Sequence, residues 1–251
     1  MNGNSFQEFV GIVKRLRKEC PWDREQTNDS IKANTIEEAY EVVEAIDNKN
    51  YEELKKELGD LLLHVVFHST IAEEENHFKL DEVITSIQEK LIRRHPHVFG
   101  NTEVTDAEHV KKNWEEIKLK EGRKSVVDGV PVSLPALQKA HRLQEKASKV
   151  GFDWENKEDV WKKVEEELLE IKDAGDKQEE LEKEFGDLLF SLVNYSRFLG
   201  INPENALRRT NEKFVKRFKY VEEEIKKSGR KLSESDLKEM DKFWNQSKKL
   251  D

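Results

Sequence analysis

The 251-residue sequence predicts an all-α protein, and three observations carry that prediction. Charged residues make up 39% of the chain, against about 25% in ordinary globular domains, which suits long amphipathic helices with solvated outer faces. Glycine and proline number only 11 and 5, too few to punctuate a β-sandwich or sustain a Gly/Pro-rich disordered chain. Apolar residues recur at spacings of three and four almost throughout.

In chain order, Ile36, Tyr40 and Val43 form one stripe, and Leu54, Leu58, Leu61, Leu62 and Val65 form the next. The polar break Asp47-Asn48-Lys49-Asn50 between them predicts a helical hairpin. Pro96 ends a further helix. Trp161, Val164, Leu168 and Ile171, then Leu181, Phe185, Leu188, Leu189 and Leu192 after the turn AGDKQ, write the hairpin a second time. Asn202 followed by Pro203 predicts a cap with a first-turn proline, and Ser233 with Asp236 predicts a capping box. Segment 122–135, GRKSVVDGVPVSLP, concentrates turn residues. The expected organisation is therefore a domain over 1–121, a linker over 122–136 and a domain over 137–251.

Composition removes several classes of function. No run approaches ~18 apolar residues, so no membrane-crossing helix is expected. The opening MNGNSFQEF has no apolar core of a secretory signal, and the lone Cys20 has no disulfide partner; both predict a cytoplasmic protein. A net charge of −9 disfavours nucleic acid as a partner.

The repeat carries the chemistry. IEEAYEVVEAI at 36–46 aligns with EEELLEIKDA at 165–174, and ELGDLL at 57–62 with EFGDLL at 184–189. A repeat this long implies duplication of a whole domain. In a chain with 53 acids a single Glu-x-x-Glu is an ordinary solvated face. Here Asp60 precedes LLLHVVF and Asp187 precedes LLFSLV, apolar runs in which an uncompensated charge is costly. Spacing of three puts Glu38 with Glu41, and Glu57 with Asp60, on facing helices. Four carboxylates then converge, as in metal-binding bundles; in the second copy the extra Glu165 leaves the register open by one residue. Hard oxygen donors suit Mg²⁺, with Mn²⁺ as a possible substitute. A di-iron site needs Glu-x-x-His pairs, which these glutamates lack. His64 and His68 read as packing or surface residues, because an offset of 127 places Ser191 and Tyr195 opposite them. Gly59 and Gly186 sit mid-helix between acids, where a close helix or a ligand would account for them.

A four-carboxylate site with one dication keeps a surplus negative charge, so a polyphosphate would need further metal and nearby cations. Lys90 with Arg94, and Lys213 with Arg217, match each other in a third helix of each half and are candidates to bind phosphate.

The pattern Glu37-Glu38-x-x-Glu41 with Glu57-x-x-Asp60, repeated as Glu166-Glu167-x-x-Glu170 with Glu184-x-x-Asp187, resembles the all-α nucleoside triphosphate pyrophosphohydrolases of the MazG family. The flanking motifs CPWDREQT, RRHPHVF, KVGFDW and EMDKFW extend the resemblance to its tandem-domain form over nearly the whole chain. The resemblance implies two helical domains whose four-helix-bundle sites are completed by pairing or dimerisation. It also implies Mg²⁺-dependent hydrolysis of NTPs or dNTPs to the monophosphate and pyrophosphate, by a homodimer. Glu38, Glu41, Glu57 and Asp60, and Glu167, Glu170, Glu184 and Asp187, would be metal ligands. Glu37 and Glu166 would hold a second metal or orient the attacking water. Lys213, Arg217, Lys90 and Arg94 would clamp phosphate. Trp244 would lie near the nucleotide, its alternative being a core anchor; Trp114 is the nearest first-copy counterpart. Two rival readings stand beside this: a non-catalytic acidic interaction module, and a pyrophosphohydrolase for a narrower nucleotide such as dUTP.

Overall fold

The computed structural model describes residues 5–121 and 125–249, and all regular structure among them is helical. It divides into two compact units, Met1–Ala107 and Glu108–Asp251. That division falls ahead of the expected linker, of which residues 122–124 lie outside the described residues.

The first unit holds α1 (Ser5–Glu19), α2 (Pro21–Glu25), α3 (Lys32–Asp47), α4 (Tyr51–Glu74), α5 (Leu80–Arg94) and α6 (Pro96–Phe99). Helices α3 and α4 form the first hairpin. Lys49 turns the chain with φ 53°, and the Asn50 side chain accepts a hydrogen bond from Glu53 N at 3.2 Å. Glu52 and Glu53 then sit in the first turn, where the helix dipole favours negative charge. The core gathers Val13 of α1, Ile31, and Val66, Phe67 and Ile71 of α4.

One buried cation ties this unit together. Arg17 of α1 donates to Glu74 of α4 through Nε at 3.2 Å and Nη2 at 2.5 Å, and to the carbonyls of Gln26 (2.9 Å) and Asp23. Its guanidinium also lies 5.5 Å from the Phe67 ring centroid. Asp23 and Gln26 belong to the motif CPWDREQT, so that motif's backbone is fixed to the hairpin from outside the acid pattern.

The second unit holds α7 (Ala107–Lys120), α8 (Ala136–Ser148), α9 (Lys157–Asp173), α10 (Gln178–Phe198), α11 (Pro203–Lys227), a 3₁₀ turn (Leu232–Glu234) and α12 (Leu237–Ser247). The second hairpin, α9 and α10, turns at Gly175, whose φ of 60° follows the Ala174 cap. Asn202 caps α11 ahead of Pro203 as expected, accepting from Asn205 N at 3.0 Å. The expected capping box is corrected: Ser233 lies inside the 3₁₀ turn, and Asp236 is itself the cap of α12, accepting from Glu239 N at 2.8 Å. Arg197 of α10 forms a two-pronged ion pair with Asp153 of KVGFDW. The buried Lys146 of α8 donates to the carbonyls of Val126 and Asp128 at 3.2 and 3.0 Å, anchoring the turn-rich segment.

Only part of each apolar stripe is buried within its unit. Val164 and Leu188 are covered, but Ile36, Tyr40, Leu58, Leu62 and Val65 are exposed, as are Trp161, Leu168, Phe185, Leu189 and Leu192. None of the described helices is long and apolar enough to cross a membrane.

Candidate functional site

Among the described residues, two groups of acidic side chains bring ligand oxygens within 4.8 Å of one another, one on each hairpin. In the first unit they are Glu38 and Glu41 of α3 with Glu57 of α4. In the second they are Glu167 of α9 with Glu184 and Asp187 of α10. Each group holds three of the four expected ligands. Asp60 and Glu170 stand just outside, close enough that Asp60 acts electrostatically on Glu38 and that Glu167 and Glu184 act on Glu170. Exposure fixes the register of the second copy: the Glu167 side chain is 4% exposed and Glu166 is 56% exposed, so Glu167 faces inward as Glu38 does. Glu37, like Glu166, is on the outer face.

The electrostatics are those of crowded carboxylates. Burial pushes Glu57 up to about 7, helped by its hydrogen bond to Glu53 and the charge of Glu41. Glu38 is raised by burial and then by Glu41 and Asp60, and Glu170 by burial and then by Glu167. In the second unit a lysine supplies positive charge: Lys163 Nζ lies 2.8 Å from Glu166 Oε1 and 2.7 Å from Glu167 Oε1. Those two hydrogen bonds hold the Lys163 ammonium well above its usual range. The other oxygen, Glu167 Oε2, is buried with no hydrogen-bond partner. An ionised oxygen in that state is costly, and a hard dication is the partner that its chemistry and its acidic neighbours fit.

Gly59 and Gly186 lie in open space, with nothing within 4 Å of where a Cβ would sit. Among the described residues no neighbouring helix packs against these two positions closely enough to require glycine.

The cationic candidates lie on the third helices: Lys90 (exposed) and Arg94 (half-buried) on α5, Lys213 (exposed) and Arg217 (half-buried) on α11. Arg217 lies 5.8 Å over the Trp244 ring, and Trp244 is 5.2 Å from Phe214, which stacks on Phe218. The structure thus joins Arg217 of α11 and Trp244 of α12 in one half-buried aromatic corner. Trp114 lies on α7, after the division between the two units.

The histidines are more than packing. His64 and His68 are half-buried and joined through Thr35: Thr35 Oγ1 is 3.0 Å from His64 Nδ1 and 2.8 Å from His68 Nε2. His68 Nδ1 is 2.6 Å from Asn28 Oδ1, and His64 Nε2 is 3.9 Å from Glu38 Oε1. Burial lowers the proton affinity of both rings. The available sequence signal was position: His64 follows Asp60 by four and Glu57 by seven, on the same helix face.

Comparison with known proteins identifies the family. The model of the MazG nucleotide pyrophosphohydrolase domain matches residues 26–99 and again 155–222, together more than half the chain and each spanning one hairpin. A nucleoside triphosphate pyrophosphohydrolase/pyrophosphatase MazG of Thermotoga maritima is 51% identical, covering 98% of this chain and 96% of its own. A nucleoside triphosphate pyrophosphohydrolase of Escherichia coli is 40% identical over 98% of each. A crystal structure of a mazG-related protein from Thermotoga maritima aligns with 45% of this chain and 98% of its own at 25% identity and a TM-score of 0.41. The chain belongs to the MazG nucleotide pyrophosphohydrolase family and carries its domain twice.

Proposed function

We propose that this protein hydrolyses nucleoside triphosphates, NTP or dNTP, to the monophosphate and pyrophosphate, adding water across the α–β phosphoanhydride bond. The observation that carries this reading is the carboxylate group built on both hairpins, in a chain of this family, with a buried and unpartnered Glu167 oxygen in one copy.

Glu167, Glu170, Glu184 and Asp187 hold Mg²⁺, with Mn²⁺ as a substitute, in the second unit; Glu38, Glu41, Glu57 and Asp60 hold it in the first. Bound there, the ion supplies charge neutralisation on the triphosphate and acidifies water at neutral pH. Glu166 and Glu37, on the outer faces beside these ligands, orient the attacking water through their carboxylate oxygens. Lys163 sits between Glu166 and Glu167, holding both carboxylates in place before substrate arrives. Lys213 and Arg217, and Lys90 and Arg94 in the first copy, take the phosphates, Arg as a planar fork and Lys as a point charge. Trp244 beside Arg217 offers a flat face for the base next to the phosphate clamp.

The working form is a homodimer. The exposed faces of both hairpins, Tyr40, Leu58 and Leu62 in one and Phe185, Leu189 and Leu192 in the other, are apolar surface that a second copy covers. Incubation with a panel of NTPs and dNTPs and Mg²⁺, with products separated by chromatography, tests the reaction. Monophosphate and pyrophosphate in equal amounts are expected; diphosphate with orthophosphate would overturn it. Cleavage confined to dUTP would narrow the substrate without changing the reaction.

A further inference from the structure

The second acid group carries a close cation of its own. Lys163 stands one helical turn ahead of Glu167 on α9, with its Nζ 2.7 Å from Glu167 Oε1 and 2.8 Å from Glu166 Oε1. The lysine is half-buried, whereas the Glu167 side chain it meets is only 4% exposed. Lys183 of α10 also reaches the group, 3.2 Å from Glu184 Oε1, but it is exposed and solvent screens the pair. The first hairpin is built differently. One turn ahead of Glu38 stands the uncharged Asn34, and Lys56, the counterpart of Lys183, donates to Glu53 at 2.9 Å.

The ammonium satisfies only half of Glu167. Oε1 has Lys163, whereas Oε2 is buried without a hydrogen-bond partner, in a group where Glu167, Glu184 and Asp187 bring ligand oxygens within 4.8 Å of one another. A lysine is a single point charge on a flexible stem, so it offsets one carboxylate and cannot serve three. A dication bonded to several oxygens can. The two cations compete, because an ion on Glu167 would stand within a few ångströms of the ammonium and like charges at that range repel. Lys163 is the one able to yield: its four-carbon stem is half-buried and can turn to solvent, while Glu167 is held inside.

We propose that Lys163 is a resident counter-ion of the second acid group, which a dication must displace from Glu167, and that this lysine holds down the metal affinity of the second site. The inference rests on the reading that the acid groups hold cations. No proton moves in the exchange; the lysine stays charged and changes place. Asn34 spares Glu38 this competitor. Lys163 is thus a positioning residue that acts through Glu167, and the sign of its effect separates displacement from bracing. A lysine that only braced Glu167 for the ion would strengthen metal binding.

Mn²⁺ titration of the full chain, read by the EPR signal of the free ion, tests this, with Glu38→Gln present to weaken the first site. Lys163→Met is expected to tighten Mn²⁺ binding on the order of tenfold, the scale on which a neighbour of a metal ligand alters affinity. Lys163→Arg, which keeps the charge, should stay near the parent chain. In a Glu167→Gln chain, where the first site is read instead, Asn34→Lys should weaken binding by a similar factor. Because that variant adds the effect in the other hairpin, the result does not hang on the folding of the Lys163 variants. Weaker or unchanged binding in Lys163→Met overturns the inference and leaves the metal reading standing. Tightening by Lys163→Arg equal to that of Lys163→Met also overturns it, as does a first site indifferent to Asn34→Lys. Failure of both parent chains to bind Mn²⁺ overturns the inference and the reading together.

Discussion

The two hairpins repeat one acid pattern but surround it differently. In the second unit a lysine lies against the inward glutamate, and one buried oxygen is left over. In the first unit position 34, opposite Lys163, is asparagine, and the crowding is relieved instead by Glu57 holding its proton up to about 7. The aromatic and guanidinium corner is described only for the second unit, whereas the Thr35-linked histidines exist only in the first. Duplication kept the cation-demanding acids and let their surroundings diverge. On the function proposed above, both copies would hold a dication, and the second has more cationic and aromatic side chains described around its acids.

The largest test of that comparison is catalytic. Glu170→Gln should lower pyrophosphate release on the order of a hundredfold, the scale of losing one electrostatic group at a reacting centre, and Glu41→Gln should lower it far less. Equal losses would show that both units turn over substrate.

Next is stability, because each unit fixes a flanking motif with one arginine. Arg17 is buried and serves Glu74 and two carbonyls, but Glu74 is half-exposed, which discounts the pair. Arg17→Met should cost about 3 kcal/mol in the first unit by calorimetry. Arg197→Met, which frees the more exposed Asp153, should cost about 1 kcal/mol in the second. The reverse order would contradict the assigned roles.

A smaller effect is pH-dependent. With cations chelated, Glu57 titrates near 7 folded and near 4.5 unfolded, so the folded chain holds that proton more tightly. Its contribution is therefore full below about pH 4.5 and lost as pH rises through about 7. Glu57→Gln should flatten the fall in Tm of the first unit between about pH 5 and 8, and Mg²⁺ added to wild type at pH 8 should recover it. An unchanged slope would remove Glu57 as the titrating group.

The smallest concerns Gly59 and Gly186, where an added Cβ meets no packing atom within 4 Å among the described residues. Each Gly→Ala should raise helix stability by up to ~1 kcal/mol in thermal unfolding. If the space serves a ligand or a second copy, nucleotide affinity or dimerisation should fall at the same time; a gain in stability with neither loss would make the glycines incidental.

Much of this was legible from sequence, because period and caps are local. The Asn48–Asn50 turn and the Asn202 cap follow from single residues acting on adjacent backbone. So do the acid faces, since a spacing of three fixes a helix side wherever the helix packs. What escaped was long-range. Arg17 reads as an ordinary basic residue until α4 brings Glu74 to it across 57 positions, and His64 reads as packing until Thr35 and Asn28 are seen to orient it. Ser233 was misread because a weak cap pattern can start a 3₁₀ turn as readily as an α-helix.

The central claim, that these carboxylates hold the ion that drives nucleotide hydrolysis, is tested most directly by pyrophosphate release from mixed NTPs with and without Mg²⁺, comparing wild type with the Glu41→Gln, Glu170→Gln double variant. The account predicts Mg²⁺-dependent release by wild type and background alone from the double variant; equal rates from the two proteins would contradict it.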